Sequence, residues 1–124
     1  MTPENLKYND SHQWALITDG IAVIGVTDYA QEQLGEVVYV ELPQLGDEVT
    51  AGEVMGSVES VKSISDLISP VSGKVIEVNE PLLDDPAQIN KDPYGDAWMV
   101  KIEMSNLAEA DSLLSAADYQ AKLD

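Results

Sequence analysis

The hydrophobic pattern of this chain never keeps one period for long. Apolar and polar residues alternate for a few positions, a turn signal intervenes, and the alternation restarts, roughly every 8–12 residues. His12 to Ile17 and Ile21 to Val26 alternate around Asp19-Gly20, a dipeptide suited to the positive φ angles of a type I′ hairpin turn. Glu36 to Leu42 is the most β-rich run and stops at Pro43. Glu48-Val49, Glu53 to Val58, Ile64 to Ile68, Val71 to Val78 and Trp98 to Glu103 follow as further short strands. Such a pattern folds as a compact β barrel or sandwich. Helical signals are few. Thr27 is placed to cap a short helix, with Asp28 in its first turn and Gly35 as its stop. From Asn106 the apolar spacing turns helical through Leu107, Leu113, Leu114, Ala117 and Leu123, and Ser115 is placed to start a second short helix. Residues 79–96, with Pro81, Pro86, Pro93 and Gly95, read as the longest irregular region.

The composition removes several classes of function. A net charge of −17 argues against nucleic acid and against anionic membrane, and favours partners with basic docking surfaces. No apolar run approaches the roughly 18 residues of a membrane span. Met1-Thr2-Pro3-Glu4-Asn5 carries no basic or apolar run, so no signal or transit sequence is expected, and a soluble cytoplasmic protein is. With 124 residues, one domain over 1–124 is expected. The absence of cysteine excludes disulfides, thiolate metal sites and a cysteine nucleophile. A lone histidine, His12, leaves no serine triad and no zinc set, so no catalytic or metal site is expected.

One stretch stands apart. Glu59-Ser60-Val61-Lys62-Ser63-Ile64-Ser65-Asp66 lies between two strand-like runs, so a hairpin over about residues 53–69 would carry Lys62 at its tip. A lysine there is fixed at its base while its four-carbon stem stays free, which suits a covalent carrier. It also describes any exposed turn lysine. At neutral pH such an amine is protonated and a poor nucleophile, so modification would require an enzyme and an activated acyl donor.

Glu59-Ser60-Val61-Lys62, Ser65-Asp66, Ser69-Pro70-Val71-Ser72-Gly73, and Asn90 through Pro93-Tyr94 and Trp98 closely resemble the H-protein family of the glycine cleavage system. The likeness extends to Leu6-Lys7-Tyr8, His12, Trp14, Gly25-Val26-Thr27 and Leu34-Gly35-Glu36-Val37-Val38. It implies a mainly β, barrel-sandwich hybrid of the lipoyl- and biotinyl-carrier type, with a short helix in the N-terminal third and C-terminal helices. It further implies covalent lipoate on Lys62, with Glu59 and Gly73 recognised by the lipoate-attaching enzyme. The implied protein is a non-catalytic shuttle, monomeric when free, serving three enzymes. A pyridoxal-phosphate glycine decarboxylase loads an aminomethyl group on the arm, and a tetrahydrofolate-dependent aminomethyltransferase takes its one-carbon unit. A dihydrolipoyl dehydrogenase reoxidises the dithiol. Members of the family shelter the loaded arm in a cleft near a His-Glu-Trp segment and the serine before it. Here that segment is Ser11-His12-Gln13-Trp14, with Gln13 in place of the acid, and Asp66 is a candidate to compensate. Two alternatives stay open: a lipoyl donor to other enzymes, and a non-lipoylated interaction module of the same fold.

Overall fold

The computed structural model describes residues 3–123; Met1 and Thr2, at the head of the stretch read for a signal sequence, and Asp124 lie outside them. Among the described residues, nine strands form two antiparallel sheets. The larger, in spatial order, contains β1 (Lys7–Tyr8), β2 (Gln13–Thr18), β3 (Ile21–Val26), β9 (Val100–Met104), β8 (Gly73–Val78) and β5 (Glu48–Val49). The smaller contains β4 (Val37–Glu41), β6 (Val54–Ser60) and β7 (Ile64–Ile68).

The turn chemistry acts where the sequence places it. Asp19 and Gly20 have φ of 52° and 80°, both positive as a type I′ turn requires, and Thr18 faces Ile21 across the hairpin. Helix α1 (Asp28–Leu34) begins where the Thr27 hydroxyl accepts the Ala30 N–H. It ends at Gly35, whose φ of 76° and ψ of −152° suit glycine alone.

Each sheet turns one face inward. Alternation along β6 sends Gly56, Val58 and Ser60 into the interior and leaves Ser57 and Glu59 half-exposed. One cluster joins Val26, Leu34, Val37, Val40, Val58 and Leu67 to Leu82, Ile89 and Met99. A second lies on the larger sheet around Ile24, Val75, Val100 and Ile102. A third is aromatic: Tyr8, Trp14 and Tyr119, with Tyr8 and Tyr119 stacked at 4.6 Å between centroids. Their burial supplies the main driving force for the fold, about 1.5–3 kcal/mol for each fully buried large aliphatic side chain.

Three expectations are corrected. Residues 79–96 contain two short helices, α2 (Glu80–Asp84) and α3 (Gln88–Lys91). They bury Leu82 and Ile89 in the first cluster, and proline at the start of a helix is compatible with it rather than a breaker. The segment from Asn106 is a 3₁₀ helix, Leu107–Ser112, before α4 (Ala116–Leu123). Its apolar face is not the leucine series: Leu107 is 62% exposed, whereas Ala116 and Tyr119 are buried. The last strand begins at Val100 rather than Trp98. Strand β1 left no alternating signal because it has only two residues.

Candidate functional site

Lys62 stands in the turn joining β6 to β7, and the turn is held by its own serine. The Ser60 N–H donates to the Ser63 carbonyl at 2.8 Å, while the Ser60 hydroxyl oxygen accepts the N–H groups of Lys62 and Ser63 at 3.2 and 3.1 Å. Neither Val61 nor Lys62 adopts a positive φ. The hydroxyl therefore does locally what glycine does in a primed turn, and this explains why a polar Ser60 is buried. A second anchor comes from outside the hairpin, where the Val61 N–H donates to the Glu36 carbonyl at 3.0 Å.

That anchor leads back to Asn90 on α3. Its Oδ1 accepts the Val37 N–H at 2.9 Å, and its Nδ2 donates to the Gly35 carbonyl at 2.7 Å and to Gln31 Oε1 at 3.1 Å. One amide thus fixes the passage from α1 into β4, and Glu36, in that passage, holds the tip. The lysine stem runs over Gly35: a Cβ there would lie 2.9 Å from Lys62 Cε. Among the described residues, Lys62 is exposed and makes no ion pair.

Glu59 lies in the middle strand of the small sheet, opposite Tyr39 on one side and Ile64 on the other. Directly opposed residues share a face, so its carboxylate is flanked by apolar side chains that are 53% and 67% exposed. Gly73 is elsewhere. It pairs with Met104 in the larger sheet, and a Cβ there would run into the Glu103 carbonyl oxygen, so the strand pairing itself requires glycine.

Beside the tip is a cleft of about 350 Å³, with Ser63, Ser65, Leu67 and Val58 of the hairpin on one side. Ile64 also borders it, and Val26, Tyr29, Ala30, Gln33 and Leu34, with the Ser11-His12-Gln13 segment, form the rest of its wall. Ser11 and Gln13 are therefore placed together. Asp66 is not among the lining residues; it opposes Ser57 on β6, while Ile64, Ser65 and Leu67 of the same strand border the cleft.

The Ser11–Gln13 wall is tied down over long sequence distances. Asn9 Oδ1 accepts the N–H groups of Ser11 and Gln13, and Asn9 Nδ2 donates to the Ile68 carbonyl at 3.1 Å. His12 has φ of 71°, an uncommon conformation that His, Asn and Asp tolerate better than most residues. Its Nδ1 is 2.7 Å from the Tyr119 hydroxyl, which is 2.8 Å from Thr27 Oγ1. Burial pushes the His12 imidazole below its ordinary pKa, against a weaker upward pull from Asp10. Gln13 is 2% exposed, and its Oε1 is buried without a hydrogen-bond partner among the described residues. Sequence reasoning gave no role to Ser60, Asn9, Asn90 or Tyr119; the helix-cap signal at Thr27 was the only local clue to this network.

A family model described as Glycine cleavage H-protein matches residues 6–124. A glycine cleavage system H protein of Carboxydothermus hydrogenoformans is 52% identical over 124 residues, covering 100% of this chain and 95% of that one. One from a Marinomonas species is 56% identical over 122 residues, covering 98% and 96% of the two chains. The crystal structure of a glycine cleavage system H protein from Mycobacterium marinum superposes with a TM-score of 0.91 at 41% identity, over 98% of each chain.

Proposed function

The chain belongs to the glycine cleavage H-protein family, and on that premise we propose that it is the lipoyl-bearing shuttle of glycine cleavage, with Lys62 as the attachment point. The observation that carries this reading is the tip itself: an exposed lysine, unpaired among the described residues, on a turn held by its own Ser60 and by Glu36, next to a cleft able to receive what it bears. Lipoate in amide linkage removes the lysine charge and supplies a two-electron dithiol–disulfide couple on an arm of about 14 Å. The residues fit that group. Ser63 borders the cleft on one side of Lys62, and Leu34 borders it beside Gly35, over which the outer end of the stem lies.

Every further task belongs to positioning. Ser60 and Asn90 hold the base of the arm, so its reach is measured from a defined point. Glu59, with Tyr39 and Ile64, offers the lipoate-attaching enzyme a charge set between apolar contacts, and Gly73 maintains the β8–β9 pairing behind the hairpin. Ser11, Gln13 and their neighbours form the resting place of the arm. The surface charge of −17 favours encounter with basic faces on glycine decarboxylase, the aminomethyltransferase and dihydrolipoyl dehydrogenase. The chain acts as one cytoplasmic carrier domain and catalyses none of their reactions.

The test is reconstitution of glycine–bicarbonate exchange with the decarboxylase. Lipoylated protein supports exchange and Lys62→Arg does not; exchange retained by Lys62→Arg would refute the assignment.

A further inference from the structure

A second recess lies away from the hairpin tip. It holds about 500 Å³ between the β4–β5 loop, β8 and α2, and its apolar lining is Leu42, Pro43, Leu45, Ile76, Val78 and Leu83. Three of these side chains are exposed: Leu45 by 70%, Leu83 by 43% and Ile76 by 37%. Single exposed apolar side chains are ordinary on a protein surface, but several gathered around one groove form a patch.

Each of the three is held outward by its own local structure. Leu45 sits in a tight turn, where Asp47 Oδ2 accepts the Gln44 N–H at 2.9 Å and the Asp47 N–H donates to the Gln44 carbonyl at 3.0 Å. That turn is pinned to β8: the Gly46 N–H donates to the Val75 carbonyl and the Val75 N–H to the Asp47 carbonyl, both at 2.8 Å. Ile76 is the extra residue of a bulge, since Val75 pairs with Ile102 and Glu77 with Lys101. Leu83 follows Leu82, whose burial in the first cluster fixes α2. The patch is preformed, so a partner would not have to order it on binding.

Its rim is acidic. Glu77 and Glu80 border the groove, and the exposed Asp47, Glu48, Asp84 and Asp85 follow closely on Leu45 and Leu83. The lysines of the neighbouring strands are offset within the sheet: Lys101 pairs with Glu77 at 3.2 Å, and Lys74 lies opposite Glu48 and Glu103. A second copy of this chain would set the same carboxylates against these. The groove is also remote from Lys62. Val37 pairs with Ser60 beside the tip, and from there β4 leads about 13 Å away before the chain reaches Leu42.

We propose that this groove docks a basic amphipathic segment of a protein partner. Its apolar side chains sit among Leu45, Ile76 and Leu83, and its lysines or arginines meet the carboxylate rim. A partner seated there holds the molecule by the end remote from Lys62 and leaves the tip uncovered. The inference goes beyond the carrier reading and stands whatever Lys62 bears.

The probe is a synthetic helical peptide of leucine and lysine, about fourteen residues long, with its leucines on one face. A control peptide of the same composition has its leucines spread around the helix. Each is titrated into the full-length ¹⁵N-labelled protein at about 0.15 M salt, where exposed charges farther apart than about 8 Å are largely screened. The expected amide shifts cluster at Leu45, Ile76 and Leu83, with Val61 and Lys62 unmoved. The control peptide, and the Leu45→Ser/Leu83→Ser double variant with the patterned peptide, should each bind about tenfold more weakly. Leu45→Ser alone, at the most exposed of the three positions, should show a smaller loss in the same direction if the double variant does not fold. Equal binding of the two peptides would overturn the proposal, because charge alone would then account for it. Shifts centred on the tip or spread over the acidic surface would overturn it as well. So would sedimentation of the free protein as a dimer that Leu45→Ser dissolves, which would make a second copy the occupant.

Discussion

The hairpin tip and the cleft beside it solve opposite problems with neighbouring residues. At the tip, partners are close in sequence: Ser60 bonds Lys62 and Ser63, and the result is an exposed lysine on a rigid base. In the cleft wall, partners are remote. His12 meets Tyr119 across 107 residues, Thr27 meets it across 92, and Asn9 reaches Ile68 across 59. The lesson is that presentation of Lys62 is mostly local, with Glu36 and Asn90 as its remote support, whereas the cleft wall depends on contacts across the whole fold. The two regions should fail separately.

The largest separation comes from Lys62→Arg. An exposed side chain without ion pairs is replaced by one of equal charge, so lipoylation should be lost completely while stability changes by less than about 0.5 kcal/mol. Mass spectrometry and urea denaturation check the two halves. Next is Asn90→Leu, which strips partners from the Gly35 carbonyl and the Val37 N–H at once. Leaving each group unsatisfied costs about 1–3 kcal/mol. The urea midpoint should fall markedly, and amide exchange at Val61 should accelerate because its acceptor, Glu36, lies between those two residues.

Tyr119→Phe addresses the cleft alone. It removes both hydroxyl contacts while keeping the stacking on Tyr8, at a cost of about 1–2 kcal/mol. Lipoylation of Lys62 should proceed at the wild-type rate; a parallel loss would show that the two regions are coupled.

The smallest effect is a pH dependence. The folded state holds the His12 pKa below 6.5, so the unfolded chain binds its proton first as pH falls. His12 therefore contributes stability that is complete above 6.5 and declines as pH drops from there toward the lower folded value. In His12→Asn, which tolerates the same backbone angle, that part of the decline in the urea midpoint should disappear.

Legibility in the sequence follows the same division. Asp19-Gly20, Thr27 and Gly35 announced their turn, cap and stop because each acts through its own backbone. The hairpin and Lys62 were readable for the same reason. The helices of residues 80–91 were not, since their stability comes from burying Leu82 and Ile89 against distant residues, and prolines masked the pattern. Asp66 looked suitable for the cleft by sequence proximity, but its place outside the lining, opposite Ser57, required the fold. Gln13 was visible as a departure from the family pattern, but its burial and orphaned oxygen required the fold.

The central claim is that this fold presents one lysine for a covalent arm. Intact mass and peptide mapping, after incubation with lipoate, ATP and a lipoate ligase, test it most directly. The account predicts a single lipoyl group, on Lys62 and on none of the other lysines. An unmodified chain, with the ligase shown active on another acceptor, or a lipoyl group on a different lysine, would contradict it.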